Sequence, residues 1–233
     1  MGRDGHRLYA VLTGDVVSSR GYRGARRALL DHLRGGFEVI ATTFPEALAR
    51  SFYVYRGDGF QGILSRPDQG LGAAIALRAH LRSAPAGAPG GMDARIAIGI
   101  GRVDYLPNSG EVSEADGEAF RLSGPILDAS KKASQGLFVR TPDPQINSEL
   151  EVEASLVDDI TQRWTPPQAQ AILAEMRGMN QREIAVALGV SAPAISKRLR
   201  VAGAFAIGRA RKRFATLVQK LQVACAHQTG SGK

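Results

Sequence analysis

The sequence predicts an α+β protein with a sheet-containing first part and an all-α second part. Residues 8–140 alternate short apolar runs with longer amphipathic segments, a pattern typical of strands joined by helices. Residues 180–201 have the capping residues, the turn and the apolar spacing of two short helices. The net charge of +8 is concentrated in the last third of the chain. These three observations indicate two regions of different architecture and different role.

The first part divides into segments that follow one another in a regular order. Strands are predicted at 8–13, 52–55, 60–64, 95–101 and 137–140, and helices at 22–43, 68–81 and 115–133. Asp58-Gly59 lies between the second and third strands, and this dipeptide favours a tight hairpin because it tolerates positive φ. The leading segments run βαββαβ, so the sequence predicts a ferredoxin-like, palm-type sheet with helices on one face.

The boundary between the two parts is expected shortly after the last strand. Pro, Asn, Asp and Glu are frequent across residues 141–162, a composition that favours a connection without regular structure. A helix then begins after Thr165, an N-cap followed by two prolines, and ends at Gly178. The predicted parts are a sensor or dimerisation domain at 1–145, a linker at 146–163, a helix-turn-helix domain at 164–225 and a disordered tail at 226–233.

The second part contains the pattern of a helix-turn-helix. Asn180 and Glu183 have the spacing of a capping box at the start of the first helix. Gly189 ends that helix, and Ser191 caps the next one. The side chains expected to face inward are Ile184, Leu188, Ile195 and Leu199. A helix-turn-helix places its second helix in the major groove of DNA, and the alternative is an ordinary pair of helices inside a core.

Basic and polar side chains are expected on the outer side of this helix pair. From residue 164 onward the chain has eleven Lys or Arg and two acidic residues, whereas residues 1–150 are nearly neutral. Such positive charge displaces counterions from nucleic-acid phosphates. Base-edge contacts are expected from Ser196, Lys197 and Arg200, with Ala192 near a thymine methyl group. The expected phosphate contacts are Gln181, Arg182, Arg198, Arg209, Arg211, Lys212 and Arg213.

The composition argues against several other classes of protein. No apolar run approaches the ~20 residues that span a bilayer, and the first ten residues lack the apolar core of a signal peptide. The single cysteine, Cys225, excludes an internal disulfide and fits a reducing compartment. The four histidines lack the spacing of a zinc site. We therefore expect a cytoplasmic protein with no membrane partner.

Two acidic residues of the first part are expected to lie close together. Asp15 follows the first strand, and Asp58 lies in the hairpin beside it. Two neighbouring carboxylates repel each other unless a cation or a proton separates them, and Mg²⁺ at this position would also attract phosphates. The expected metal ligands are Asp15 and Asp58, and the expected nucleotide contacts are Asp15, Val16, Ser18, Ser19, Arg20 and Asp58. The alternative is that both are ordinary strand-end and turn residues that bind nothing.

Three segments of the first part resemble the catalytic domain of class III nucleotide cyclases. They are Thr-Gly-Asp-Val-Val-Ser-Ser-Arg at 13–20, Gly-Asp-Gly-Phe at 57–60 and Arg-Ile-Ala-Ile-Gly-Ile-Gly at 95–101. The resemblance implies that Asp15 and Asp58 hold metal ions and that the loop after the first strand cradles a triphosphate. Residues 164–202 resemble region 4 of sigma factors. The combination of the two parts is similar to SatD-like bacterial proteins.

The cyclase pattern is incomplete in this chain. Val54 stands where cyclases place a lysine that selects adenine. Cyclases also carry an asparagine and an arginine that steer the ribose and stabilise the transition state. Depending on the alignment, these positions hold Arg121 and Pro125 or Asp128 and Lys132. Because loss of one such donor lowers the rate by about two to three powers of ten, we expect no efficient cyclase activity.

Taken together, these patterns predict a bacterial transcriptional regulator that binds double-stranded DNA as a homodimer. Its first part would dimerise and bind a nucleotide or cyclic nucleotide, with Mg²⁺ as the expected cofactor. One alternative is an active metal-dependent cyclase or nucleotidyltransferase with a DNA-targeting domain. Another is a DNA-binding dimer whose first part is purely structural.

Overall fold

The structure is a computed structural model that describes residues 7–17, 26–84, 92–107, 115–130 and 133–230. Its strands are β1 (Leu8–Val17), β2 (Leu48–Arg56), β3 (Gly59–Leu64), β4 (Asp93–Arg102) and β5 (Leu137–Arg140). Its helices are α1 (Arg26–Thr43), α2 (Gly70–Arg82), α3 (Glu118–Ala129), α4 (Pro144–Gln162), α5 (Pro166–Met176), α6 (Gln181–Ala187), α7 (Ala192–Val201) and α8 (Ala204–Gly230). A short 3₁₀ turn, Pro67–Gln69, precedes α2. The described part of the chain is therefore a mixed α+β structure, which confirms the predicted class.

The strands form one mixed sheet in the order β2-β3-β1-β4-β5. β1 is central and pairs antiparallel with both β3 and β4, whereas β4 and β5 are parallel. Ala10 of β1 is paired with Leu64 of β3 and with Ile100 of β4, and all three are fully buried. The centre of the sheet is thus the most completely enclosed part of the core.

Helices cover both faces of the sheet, so the prediction of helices on one face is wrong. Successive side chains of a strand point to opposite faces, so Leu12 packs in the main core with α1 and α2, whereas Val11 packs with Ala119 of α3. α3 lies very close to β4, because a Cβ on Gly99 would come within 2.1 Å of the Ala119 carbonyl oxygen. Only glycine at that position lets α3 reach the sheet.

The predicted linker at 146–163 is wrong in one respect, because helix α4 occupies it. Asp143 caps this helix: its Oδ1 accepts hydrogen bonds from the backbone N–H groups of Gln145 (2.8 Å) and Ile146 (3.1 Å). Pro144 then takes the first helical position, where its missing N–H costs little. The buried side of α4 carries Leu150, Ala154, Val157, Asp158 and Thr161. Of the acidic residues that suggested a linker, Glu149, Glu151 and Asp159 are exposed on the outer side of the helix.

A buried ion pair attaches α4 to the sheet region. Arg78 of α2 is 1% exposed, and its Nη1 donates to Asp158 Oδ1 at 2.6 Å. Its Nε and Nη2 donate to the two carboxylate oxygens of Asp93, both at 2.8 Å. Burial opposes the charged guanidinium, but the two carboxylates outweigh it and raise the pKa of Arg78. α2, β4 and α4 are therefore joined at one point.

The C-terminal helices follow α4 with only short connections. Trp164 lies in the chain between α4 and α5, and its Nε1 donates to the Ala202 carbonyl at 2.8 Å. α8 runs to Gly230, so the predicted disordered tail is wrong for 226–230, while 231–233 lie outside the described residues. Residues 204–229 contain no proline and a single glycine, Gly208. The sequence therefore has no strong helix breaker in this range, which explains the length of α8. None of the described helices combines the length and apolar character that crossing a membrane requires.

Candidate nucleic-acid interface

The start of α6 is fixed by the predicted capping box. Asn180 Oδ1 accepts hydrogen bonds from the backbone N–H groups of Arg182 (3.0 Å) and Glu183 (3.1 Å). In return, Glu183 Oε2 accepts one from the Asn180 N–H at 2.8 Å. These bonds satisfy donors that the first turn of a helix leaves unpaired. The capping box is therefore confirmed.

The turn between α6 and α7 is also the one that the sequence predicts. Gly189 has φ +63°, a conformation that side chains with a Cβ rarely adopt. The next residue, Val190, donates its N–H to the Ala185 carbonyl at 3.0 Å. Ser191 Oγ then accepts from the Ala194 N–H at 3.4 Å and caps α7. Glycine, turn and cap together fix the angle between the two helices.

Helices α5, α6 and α7 enclose a small core. Ile184 of α6 and Ile195 of α7 are fully buried, and Leu199 is nearly so. Leu188 is half-buried at the edge of this core. The inward positions predicted from the apolar spacing are therefore confirmed, with Leu188 less enclosed than the other three.

The opposite side of α7 faces outward and is basic. Ser196, Lys197 and Arg200 are exposed, and α7 contains no acidic residue. Ala192 at the helix start and Arg198 on its flank are half-buried. An outward basic face does not fit the alternative of a helix pair enclosed in a core. The three residues expected to contact base edges share one accessible surface.

Four of the residues expected to contact phosphates are exposed. Gln181 and Arg182 lie at the start of α6, and Arg209 and Lys212 lie on α8. The Arg209 guanidinium stands over the Phe205 ring, with Cζ 5.9 Å from the ring centroid. These side chains are accessible to a phosphate from outside the chain.

Two other basic residues of α8, Arg211 and Arg213, make contacts within the chain. Arg211 is half-buried against α2, where an added Cβ on Gly72 would lie 3.3 Å from its Nε. Burial lowers the pKa of Arg211, and the neighbouring Glu175 partly offsets this effect. Arg213 forms an ion pair with Glu149 of α4. The cluster at 209–213 is therefore divided between the surface and the contacts of α8 with its neighbours.

Asp15 lies on β1, and Asp58 lies in the turn that leads into the neighbouring strand β3. Asp15 of β1 is paired with Gly59 of β3, and Asp58 directly precedes that glycine in the β2–β3 turn. On its other side, Asp15 is paired with Arg95 of β4. Arg95 donates from Nε to Asp15 Oδ1 (2.9 Å) and from Nη2 to Asp15 Oδ2 (2.8 Å). The expected proximity of Asp15 and Asp58 along the backbone is present, but Arg95 binds the Asp15 carboxylate.

In this structure the Asp15 carboxylate is bound by Arg95 of the same chain. Both Asp15 oxygens accept bonds from a cation of the protein itself, and Val16 turns its side chain into the core. In the part of the chain that the structure describes, no group of three or more His, Cys, Asp or Glu could hold a metal. Ser18, Ser19 and Arg20, which the sequence assigns to a nucleotide, lie outside the described residues.

No family model matches this chain, and no curated protein is significantly similar to it. Its function therefore has to be inferred from its own residues. The outward face of α7 combines accessibility, positive charge and a capped, tight turn to α6.

Arg95 and a row of polar residues under α3 are the features that local sequence patterns miss. Tyr53 Oη donates to Gln61 Oε1 at 2.9 Å, and Gln61 Nε2 donates to Thr13 Oγ1 at 3.0 Å. Thr13 Oγ1 is also hydrogen-bonded to Ser123 Oγ of α3 at 2.9 Å. The pairing of β1 with β3 and β4 is the signal that would reveal these contacts. The row stabilises the attachment of α3 to the sheet.

Proposed function

We propose that this chain is a transcriptional regulator that binds double-stranded DNA through helices α6 and α7. The observation that carries the proposal is the outward face of α7, where Ser196, Lys197 and Arg200 lie together. The major groove of B-DNA is wide enough for an α-helix and presents acceptors that lysine and arginine recognise, above all guanine O6 and N7. The capped turn before α7 holds this face at one angle to α6.

The exposed residues around α7 fit the phosphates on either side of such a groove. Gln181 and Arg182 at the start of α6 supply side-chain amide and guanidinium donors. Arg209 and Lys212 supply positive charge from α8. Because phosphate contacts fix position and base contacts supply specificity, the two groups have different expected effects on binding.

For the first part of the chain we propose a ferredoxin-like, cyclase-type domain without cyclase activity. The element order βαββαβ and the strand order β2-β3-β1-β4 support that assignment. Val54 and the bond from Arg95 to Asp15 argue against catalysis and against a bound metal. Binding of a nucleotide stays a prediction of the sequence.

The proposal is tested by selecting bound duplexes from a random-sequence DNA library with the full-length protein. The affinity for the selected duplex is then measured at several salt concentrations. The informative variant is Lys197→Glu/Arg200→Glu. Its control is Arg27→Glu/Lys220→Glu, which changes the charge equally at two exposed positions on α1 and α8.

For the unaltered chain, the logarithm of the affinity should fall linearly as the logarithm of the salt concentration rises, with a slope of about −0.9 per neutralised phosphate. The α7 variant should lose the selected sequence, whereas the control should keep the sequence preference with a small uniform loss. Absence of DNA binding at low salt, or equal loss in both variants, would contradict the proposal.

A further inference from the structure

Helices α4 and α8 lie side by side and antiparallel, with an open groove between them. Near the start of α4, Glu149 pairs with Arg213 of α8. Near the end of α4, Ile160 lies against Gly203, which directly precedes α8: an added Cβ there would be 3.1 Å from Ile160 Cγ2. The groove has a volume of about 390 Å³. It extends over about three turns of α4.

The two walls of the groove have complementary shapes. α4 contributes Val152 and Leu156, which stand one turn apart and are 60% and 61% exposed. α8 contributes Ala206 and Ala210, whose small side chains leave a trough. Helices pack by placing ridges of side chains into the grooves of a neighbour. One surface of this chain therefore carries both a ridge, formed by Val152 and Leu156, and a trough that could receive such a ridge, formed by Ala206 and Ala210.

The charges of the two helices are complementary as well. α4 contains five acidic residues and no Lys or Arg, and α8 contains five Lys or Arg and no acidic residue. In the groove itself, Glu153 Oε2 is covered but accepts no hydrogen bond from the described residues. The lining of the groove itself carries two acidic side chains from α4, Glu149 and Glu153, and one basic side chain from α8, Arg213.

We infer that a second copy of this chain covers the groove and forms a two-fold symmetric dimer. In a two-fold interface the same surface meets itself, so each element contacts the complementary element of the other copy. Val152 and Leu156 of each chain enter the trough over Ala206 and Ala210 of the other. The acidic α4 of each copy then lies along the basic α8 of the other.

A second copy fits this surface better than other occupants. An anionic membrane or a nucleic acid would be repelled by the acidic α4, and a partner of uniformly positive charge would be repelled by the basic α8. The apolar ridge is too exposed to be explained by contacts inside one chain. A second copy of the chain supplies, by symmetry, an acidic and a basic helix together with a ridge and a trough.

The inferred interface also has a consequence for DNA binding, which rests on the proposed function. α8 follows α7 after only Ala202 and Gly203, so an interface on α8 fixes where two copies of α7 stand. A two-fold dimer of this kind would read two half-sites related by symmetry. The interface lies outside residues 1–145, to which the sequence assigned dimerisation.

The test is the oligomeric state of the full chain without DNA, measured by sedimentation velocity over a range of concentrations. The informative variants are Val152→Arg and Leu156→Arg. The matched control is Val223→Arg, because Val223 of α8 is also exposed, at 57%, and does not line the groove. Circular dichroism and thermal unfolding of each variant show whether the monomer still folds.

We expect the unaltered chain and Val223→Arg to be dimers. Each groove variant should raise the dimer dissociation constant by about 100-fold or more, because arginine is too long for the trough over Ala206 and Ala210 and its charge would lose water at both symmetric contacts. A monomeric unaltered chain, or a dimer that survives both groove variants, overturns the inference. Since no DNA is present, either result leaves the DNA-binding proposal to be judged separately.

Discussion

Arg95 binds both carboxylate oxygens of Asp15 across the β1–β4 pair, with N–O distances of 2.9 and 2.8 Å. The two residues are directly opposite each other in the register, and both side chains are mostly buried. A bidentate, charge-assisted pair of this kind is among the stronger polar contacts in proteins. The carboxylate that the sequence assigns to a metal ion is thus neutralised by the chain itself.

The Asp15–Arg95 pair should stabilise the fold measurably. We expect a double-mutant cycle with Asp15→Ala and Arg95→Ala, measured by urea unfolding, to give a coupling energy of about 1–2 kcal/mol. Mg²⁺ alone should leave the melting temperature of the unaltered chain unchanged, because the cation would have to displace Arg95.

Melting temperatures also test the prediction that the first part binds a nucleotide. A ligand at about 100 times its dissociation constant adds about 2.7 kcal/mol of stability, which moves a melting temperature by several degrees. If a nucleotide with Mg²⁺ stabilises the unaltered chain but not Asp15→Ala, then Asp15 leaves Arg95 when the ligand binds. Such a result would restore the metal-nucleotide site.

The buried pair of Arg78 and Asp158 should contribute more than any exposed pair. Asp158→Asn removes the charge that Arg78 Nη1 contacts at 2.6 Å, and it replaces the oxygen that accepts from the Gly136 N–H at 2.7 Å. We expect a loss of about 3 kcal/mol in the free energy of unfolding. The measurement is urea unfolding followed by circular dichroism.

Asp159 offers the matched control for that substitution. It is the next residue along α4, it is 63% exposed, and it pairs with Arg163 one turn away. Asp159→Asn should therefore change the stability by no more than about 0.5 kcal/mol. Equal effects of the two substitutions would show that the Arg78 pair does not hold α4 in place.

Helices α6 and α7 and the turn between them could be predicted from the sequence because their determinants are local. The capping box of Asn180 and Glu183, the positive φ of Gly189 and the cap at Ser191 all act over three or four residues. The signal for α4 was equally local, since Asp143 caps it and Pro144 follows. It was outweighed by the polar composition of the helix's outer side, which a linker shares.

The ion pairs could not be predicted, because they join residues far apart in the chain. Arg78 and Asp158 are separated by eighty positions, as are Asp15 and Arg95. The second pair follows from the β1–β4 register once the sheet order is known, whereas the first depends on how α4 packs. The proximity of Asp15 and Asp58 along the backbone could therefore be predicted, whereas the bond from Arg95 to Asp15 could not.

Stability should decrease at acid pH because of His80. Its ring stacks on His32 at 4.4 Å, and its Nε2 is hydrogen-bonded to the His32 carbonyl at 3.1 Å. Burial first, and then the charges of His32 and Arg177, lower the pKa of His80 to about 4. In the unfolded chain the pKa is about 6.5, so between these values the unfolded state binds more protons than the folded state.

The contribution of His80 is therefore fully present above about pH 6.5 and is lost as the pH falls toward about 4. Because the ring is partly accessible to solvent, we expect the loss to be about 2 kcal/mol. His80→Gln should flatten the dependence of stability on pH in this range, whereas His227→Gln, at an exposed position of α8, should not. Parallel pH profiles for all three proteins would refute the assignment.

Arg200 should determine sequence specificity rather than general affinity. Its side chain lies on the outward face of α7, where a guanidinium can donate two bonds to one guanine. We expect Arg200→Ala to weaken binding of the selected duplex by about 1–3 kcal/mol and to relax the preference at one base pair. Binding of unrelated duplexes should change much less.

Lys212→Ala provides the contrast for Arg200→Ala. Lys212 is exposed on α8, where a phosphate contact is expected. Its loss should weaken binding to all duplexes alike and reduce the salt dependence by about one phosphate. Both variants are compared on the selected duplex and on duplexes with each single base pair changed. If Arg200→Ala also weakens every duplex equally, Arg200 contacts the backbone, and Ser196 and Lys197 must supply the specificity.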